Sequence, residues 1–188
     1  MPPIDRAALH RMLAERSARR GQFTLASGRS SNFYIDVRLT AMSPDGLALI
    51  GPLALAELEA AAWRPDSVGG LTLGADPISY AIAYASASTA RPIRAFTVRK
   101  EPKAHGTGKL VEGPFRGGDS VVVIEDVITT GGSALRAAAA IGAAGGNILG
   151  VLALVDREEG GREAIESSGY SVRALARAAD ILPLVVGG

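Results

Sequence analysis

The chain has 188 residues, 47% of them hydrophobic, and its 20 Lys and Arg oppose 19 Asp and Glu for a net charge of +1. That length fits one domain with a real core, the apolar fraction argues against disorder, and the balanced charge argues against a nucleic-acid partner. The absence of cysteine excludes a disulfide framework and a thiolate metal site. Residues 1–6 lack the apolar core of a signal peptide, and no apolar run free of charges and glycines reaches membrane-spanning length. A cytoplasmic protein with no membrane partner is therefore expected.

Residues 4–19 carry a helical pattern, with Ile4, Ala8, Leu9, Met12 and Leu13 on one face and Arg6, Arg11, Glu15 and Arg16 elsewhere. Gly21 is expected to end that helix. His10 has no chemical partner at helical spacing and is read as a surface or packing residue. Residues 23–38 read as a hairpin whose polar turn centres on Ser27-Gly28. Ser43 and Pro44 open the next helix, which is expected to reach about Trp63 with a soft interruption near Gly51-Pro52. Leu47, Ile50, Leu53, Leu55 and Leu58 form its core stripe, and Trp63 packs at its end. Residues 67–73 are a short strand. Its turn runs through Gly74, Ala75, Asp76 and Pro77 into a helix over 78–87, with Asp76 expected as N-cap. Taken alone, this is a plain capped turn. Residues 93–98 form another strand, and 99–113 read as an exposed, charged, mobile loop.

The most informative stretch follows. Val121, Val122, Val123 and Ile124 read as a strand buried on both faces, as in a parallel sheet under helices. Glu125 and Asp126 are expected just beyond its carboxyl end, followed by Val127, Ile128 and a turn of Thr129, Thr130, Gly131, Gly132 and Ser133. A helix over 133–144 ends at Gly145-Gly146. Amides and hydroxyls of that turn can surround a phosphate at a helix N-terminus, while the carboxylates accept hydrogen bonds from sugar hydroxyls. A Walker-type loop would need a Lys after the glycines, and none is present. The competing reading is an ordinary βα turn whose acids cap the helix. Residues 148–155 are a second buried strand, and Asp156-Arg157 stands at its carboxyl end, where open α/β sheets bind ligands. A guanidinium there suits bidentate pairing with a carboxylate. A short helix over 163–168, a strand over 170–175 and an apolar tail complete the chain, without internal repeats or linkers.

Residues 124–133 resemble the phosphoribosyl pyrophosphate (PRPP) signature of type I phosphoribosyltransferases: apolar strand, two acids, two apolar residues, Thr/Gly loop. The hairpin at 23–38, the loop at 99–106 and Asp156-Arg157 resemble the orotate phosphoribosyltransferase family more narrowly, and the likeness covers nearly the whole chain. It implies an α/β fold of the type I phosphoribosyltransferase kind, with a mostly parallel central sheet flanked by helices and a small N-terminal α+β hood. The single domain would span 1–188, with the hood from about 1–40 plus the C-terminal tail and the core about 41–180.

The activity implied is transfer of the 5-phosphoribosyl group from PRPP to orotate in pyrimidine biosynthesis. The catalytic residues implied are Lys103, His105 and Asp126. PRPP contacts would come from Arg99, Lys100, Lys103 and His105 and from Glu125, Asp126, Val127, Ile128, Thr129, Thr130, Gly131, Gly132 and Ser133. Orotate would meet Thr129, Arg157, Tyr34 and Ile35. Mg²⁺ is the implied cofactor, held mainly through PRPP rather than by a protein metal site. In the family, the turn at 74–77 binds pyrophosphate through backbone amides, and the basic loop reaches the neighbouring subunit's site, implying a homodimer. Two departures stand out: Ala26 and Ala75-Asp76, where many relatives carry Lys. The alternatives are a type I phosphoribosyltransferase for another nucleobase, or a non-enzymatic PRPP-sensing regulator.

Overall fold

In the computed structural model, residues 5–24, 30–101 and 109–186 are described. The Asp5 carboxylate accepts from the Ala8 amide at 2.8 Å and caps α1 (Arg6–Met12). The helix expected over 4–19 then gives way. Leu13–Ser17 is a π-helical turn, and β1 (Ala18–Thr24) follows, so Gly21 lies inside a strand instead of ending a helix. Tertiary pairing explains the difference, because Ala18, Arg19 and Arg20 run antiparallel to Ile35, Tyr34 and Phe33 of β2 (Ser30–Ile35). The register slips between Arg20 and Phe23, leaving a bulge at Gly21 and Gln22.

After a single turn, α2 (Arg38–Ala41), comes α3 (Pro44–Ala60), whose Ser43 cap accepts from the Gly46 amide at 3.2 Å. This helix runs unbroken through Gly51-Pro52, where an interruption was expected. Gly51 has a packing role: a Cβ there would lie 2.6 Å from the Ala81 carbonyl oxygen, so α3 can seat on α4 (Ala75–Ser86) only with a glycine.

The remaining elements are β3 (Ser67–Leu71), β4 (Arg94–Val98), β5 (Val111–Glu112), β6 (Ser120–Ile128), α5 (Gly132–Ala143), β7 (Asn147–Asp156), α6 (Gly161–Ser167), β8 (Val172–Arg177) and α7 (Ala178–Ile181). They build one six-stranded sheet in the order β5-β4-β3-β6-β7-β8, parallel except for β5. The edge strand β5 falls within the stretch read as loop, and it forms because Thr97 and Val98 pair with Glu112 and Val111. Among the described residues, no helix is long and apolar enough to cross a membrane.

Strand β6 sits at the centre and feeds both faces. Val122 and Ile124 join Leu9, Leu13, Ile50, Leu53, Ile78 and Ile82 in the core under α1, α3 and α4. Val121 and Val123 point the other way, into the core under α5 and α6 with Ala137, Ile141 and Ile165. Period-two alternation with both faces covered is what a continuous apolar run needs in a parallel sheet. The strand is longer than its apolar run, however. Pairing with β7 continues to Val127 opposite Val155 and Ile128 opposite Asp156, so Glu125 and Asp126 lie within the strand, not beyond it. The tail returns to the hood, where Arg20 Nη2 donates to the Leu182 carbonyl at 2.5 Å and Val185 packs on the first core.

Gly150 on β7 lies under the half-buried Trp63 ring, and a Cβ there would stand 2.3 Å from Trp63 Cζ2 and 2.8 Å from the Ser171 carbonyl. Gly150→Val should therefore lower stability by about 1–3 kcal/mol through overpacking. It should also shift the emission of the lone tryptophan; an unchanged melting temperature and spectrum would contradict this packing.

Candidate active site

The carboxyl ends of β3, β6 and β7 face the hood across a cleft of ≈ 350 Å³. Its floor is the end of β6, with Glu125, Asp126 and Val127. Thr129 and Ser133 line one end, at the start of α5, and Thr72, Leu73 and Gly74 line another, where the chain leaves β3. Tyr34 and Ile35 of β2, Arg157 and Lys100 complete the wall.

The loop before α5 is shaped by close approaches. Gly131 has φ +80°, and a Cβ on it would lie 2.7 Å from the Gly161 carbonyl; a Cβ on Gly161 would lie 2.3 Å from the Thr129 carbonyl. The loop is thus pressed against the start of α6, with Gly131 as N-cap of α5. First-turn amides of a helix have no intrahelical acceptors and are suited to an anion. On the other side, the Thr72–Leu73 peptide is cis, and Gly74 touches the central acid: a Cβ there would fall 2.1 Å from Asp126 Oδ2. Asp126 therefore sits between the α5 loop and the turn after β3.

Glu125 is 7% exposed, and its Oε2 has no hydrogen-bond partner. Burial, followed by the neighbouring Asp126 charge, pushes its carboxyl well above the ordinary glutamate value of 4.5; Arg136 on α5 pulls weakly the other way. Arg157 is more tightly held than its sequence position suggests. Its Nη2 donates to Ser31 Oγ at 2.9 Å and to the Phe33 carbonyl at 3.3 Å, pairs with Glu159 at 2.7 Å, and its guanidinium lies 4.3 Å from the Phe33 ring centre. Its backbone amide donates to the Ile128 carbonyl, tying it to β6. Among the described residues, the buried side-chain atoms without a partner are Glu125 Oε2, Arg157 Nε and Glu159 Oε2. Glu125 and Arg157 line the cleft, and Glu159 is the partner of Arg157, so the unmet polar atoms gather at this site.

Not every expected residue faces the cleft. Ile128 is 1% exposed and belongs to the core beside α6, and Ile35, though on the wall, is mostly core. Thr130 and Gly132 lie on the exposed side of the loop. Arg99 lies in the adjoining groove with Arg136, where its Nε donates to the Glu101 carbonyl at 3.3 Å. Asp76 does not cap α4, because Gly74 holds that position and the Asp76 carboxylate turns toward Thr72 and Thr97. Lys103, His105 and the rest of 102–108, with Ala26 in 25–29, lie outside the described residues.

Sequence reading missed Arg38, Arg136 and Glu159. Arg38 grips Asp36 through two bonds of 2.7 and 2.8 Å, and both residues line the cleft. Arg136 also lines it and stands three residues after Ser133, so helical spacing alone places both on one face of α5. Nothing in the local pattern distinguishes Glu159 from its neighbour Glu158.

The raised Glu125 value has a consequence for stability. The folded protein holds a proton there that the unfolded chain releases near 4.5, so this group's contribution falls as pH rises from that value toward the folded one. Within that window the loss is about 1.4 kcal/mol per pH unit. Glu125→Gln should remove that slope and raise the melting temperature at neutral pH; a thermal-melt series with identical slopes would contradict the assignment.

No protein-family profile matches the chain. It is 45% identical to the orotate phosphoribosyltransferase of Aquifex aeolicus over 182 residues, 95% of this chain and 98% of that one. It is 47% identical to that of Rhodopseudomonas palustris over 95% of this chain and 96% of the other. The crystal structure of the Mycobacterium tuberculosis orotate phosphoribosyltransferase in complex with PRPP superposes with a TM-score of 0.78 at 41% identity, covering 94% of this chain and 98% of that one. With the sheet order, the acid pair of β6 and the Thr/Gly loop in place, the chain belongs to the orotate phosphoribosyltransferase family.

Proposed function

We propose that this cleft transfers the 5-phosphoribosyl group of PRPP to orotate, giving orotidine 5′-phosphate and pyrophosphate in pyrimidine biosynthesis. The observation that carries the reading is the place of Asp126, set between an anion-accepting helix start and the backbone turn at 72–74. A phosphorylated sugar carrying pyrophosphate needs that order: phosphate site, hydroxyl acceptors, second phosphate site. The loop at 129–133 takes the 5′-phosphate, Glu125 and Asp126 take the ribose hydroxyls, and the turn at 72–74 takes pyrophosphate. Arg157 and Thr129, beside Tyr34, orient orotate through its carboxylate.

The bond from C1′ to pyrophosphate breaks as the bond to the orotate ring nitrogen forms; the ring nitrogen gives up its proton, the leaving pyrophosphate oxygen takes one up, and positive charge develops on the ribose in between. The fixed Asp126 carboxylate favours that charge. Lys103 and His105 assist the leaving pyrophosphate, with His105 as proton donor. For Mg²⁺, Asp126 offers one carboxylate beside the pyrophosphate turn, a donor that would suit an ion carried by the substrate. When bound, the ion neutralises the leaving group. The enzyme acts in the cytoplasm as a homodimer whose basic loops serve the neighbouring sites.

The test is a mixture of purified protein, orotate, PRPP and Mg²⁺, followed by orotate loss and orotidine 5′-phosphate formation. Lys103→Ala should reduce turnover about 10²- to 10⁴-fold with the fold intact. Arg157→Ala should raise the KM for orotate about 10- to 100-fold while moving that for PRPP little. Chelating Mg²⁺ should stop the reaction. Wild-type protein that binds PRPP yet ignores orotate would move the base assignment to another nucleobase.

A further inference from the structure

Asp76 has no role in the cleft chemistry described above. It is 8% exposed at the second position of α4, on the far side of the turn at 72–74. Its Oδ2 accepts from Thr72 Oγ1 at 2.7 Å and its Oδ1 from Thr97 Oγ1 at 2.8 Å. Thr97 Oγ1 lies 3.2 Å from the Tyr80 hydroxyl. Since the Thr97 hydroxyl proton is committed to Asp76, Tyr80 is the donor in that last bond.

The chain of bonds joins two parts of the site. Thr72 is the first residue of the turn that touches Asp126 through Gly74. Thr97 is next to last in β4, which leads directly into Arg99 and Lys100 at the root of the basic loop. A backbone bond from the Thr72 amide to the Val98 carbonyl, at 2.8 Å, runs alongside. A carboxylate is the side chain suited to this place. It only accepts, so both threonine hydroxyls must point their protons at it and away from the ligand. An amide would have to donate to one of them and reverse its bond.

We propose that Asp76 is a positioning residue for the pyrophosphate end of the substrate, locking the turn at 72–74 to the strand that carries the basic loop. The proposal rests on the PRPP reading of the cleft. It makes a negative charge close to the pyrophosphate useful, because that charge is spent on two hydroxyl donors behind the turn and the backbone faces the ligand.

The full chain and its Asp76→Ala, Asp76→Asn, Thr97→Val and Asp76→Ala/Thr97→Val variants would be compared by calorimetric titration with pyrophosphate plus Mg²⁺ and by steady-state kinetics. Asp76→Ala should weaken pyrophosphate binding and raise the KM for PRPP about tenfold, leaving the KM for orotate within about twofold. Asp76→Asn should fall between it and wild type, and adding Thr97→Val to Asp76→Ala should change little, because both act through one clamp. Wild-type pyrophosphate affinity in Asp76→Ala, or PRPP and orotate KM values rising together, would overturn the clamp while leaving the PRPP reading intact. If Asp76→Ala does not fold, Thr97→Val decides: unchanged pyrophosphate affinity in that variant overturns the proposal. Wild-type protein that binds neither pyrophosphate nor PRPP would remove the PRPP reading and the clamp together.

Discussion

A carboxylate buried in the middle of a sheet is the constraint around which this molecule is arranged. Glu125 occupies a position on β6 that the pairing with β7 keeps inside the sheet, and the next residue is a second acid. Burial raises the Glu125 carboxyl first, and the adjacent Asp126 charge raises it further. Such an arrangement persists only where neighbouring structure enforces it. Here the enforcement is the apolar run Val121 to Ile124, buried on both faces, which fixes the register of everything after it. Among the described residues nothing bonds Glu125 Oε2, which leaves that oxygen for a partner in the cleft.

The hood uses the same strategy with opposite sign. Arg157 is buried against Phe33 and takes acceptors from Ser31 and the Phe33 carbonyl, both on β2, while its amide is fixed to the end of β6. One residue thus spans hood and core, so the small antiparallel sheet positions the cation as well as covering it. Glu159 pairs with the guanidinium and offsets its charge in the low-dielectric setting. The orientation of the guanidinium is thus set by three residues, Ser31, Phe33 and Glu159.

The legible parts of the sequence were those in which chemistry and local pattern coincide. The central strand, the Thr/Gly loop and the Arg after β7 could each be read because an apolar run ends on polar residues at the ligand-binding edge of a parallel sheet. What escaped depends on pairings between distant residues. Gly21 looks like a helix stop until Ala18 to Arg20 find Tyr34 and its neighbours, and β5 looks like loop until Val111 finds Val98. The acid pair was placed past the strand because polar residues usually mark an exit, yet the ladder runs on through Ile128. Asp76 followed the spacing of an N-cap, but its donors are Thr72 and Thr97, and the latter is 21 residues away. No local pattern encodes that bond.

Rigidity and charge divide between these parts. The acids and the Thr/Gly loop sit on β6 and α5, whose inward faces are fully packed. Arg99 and Lys100 follow β4, which pairs on its outer side with the two-residue edge strand β5. In the sheet β6 is central, while β4 is next to the edge. The turn after β3 lies between the two strands, in contact with Asp126 on one side and bonded to β4 on the other. That turn is where β4 is registered against β6, and Asp76 stands behind it with two hydroxyls bound.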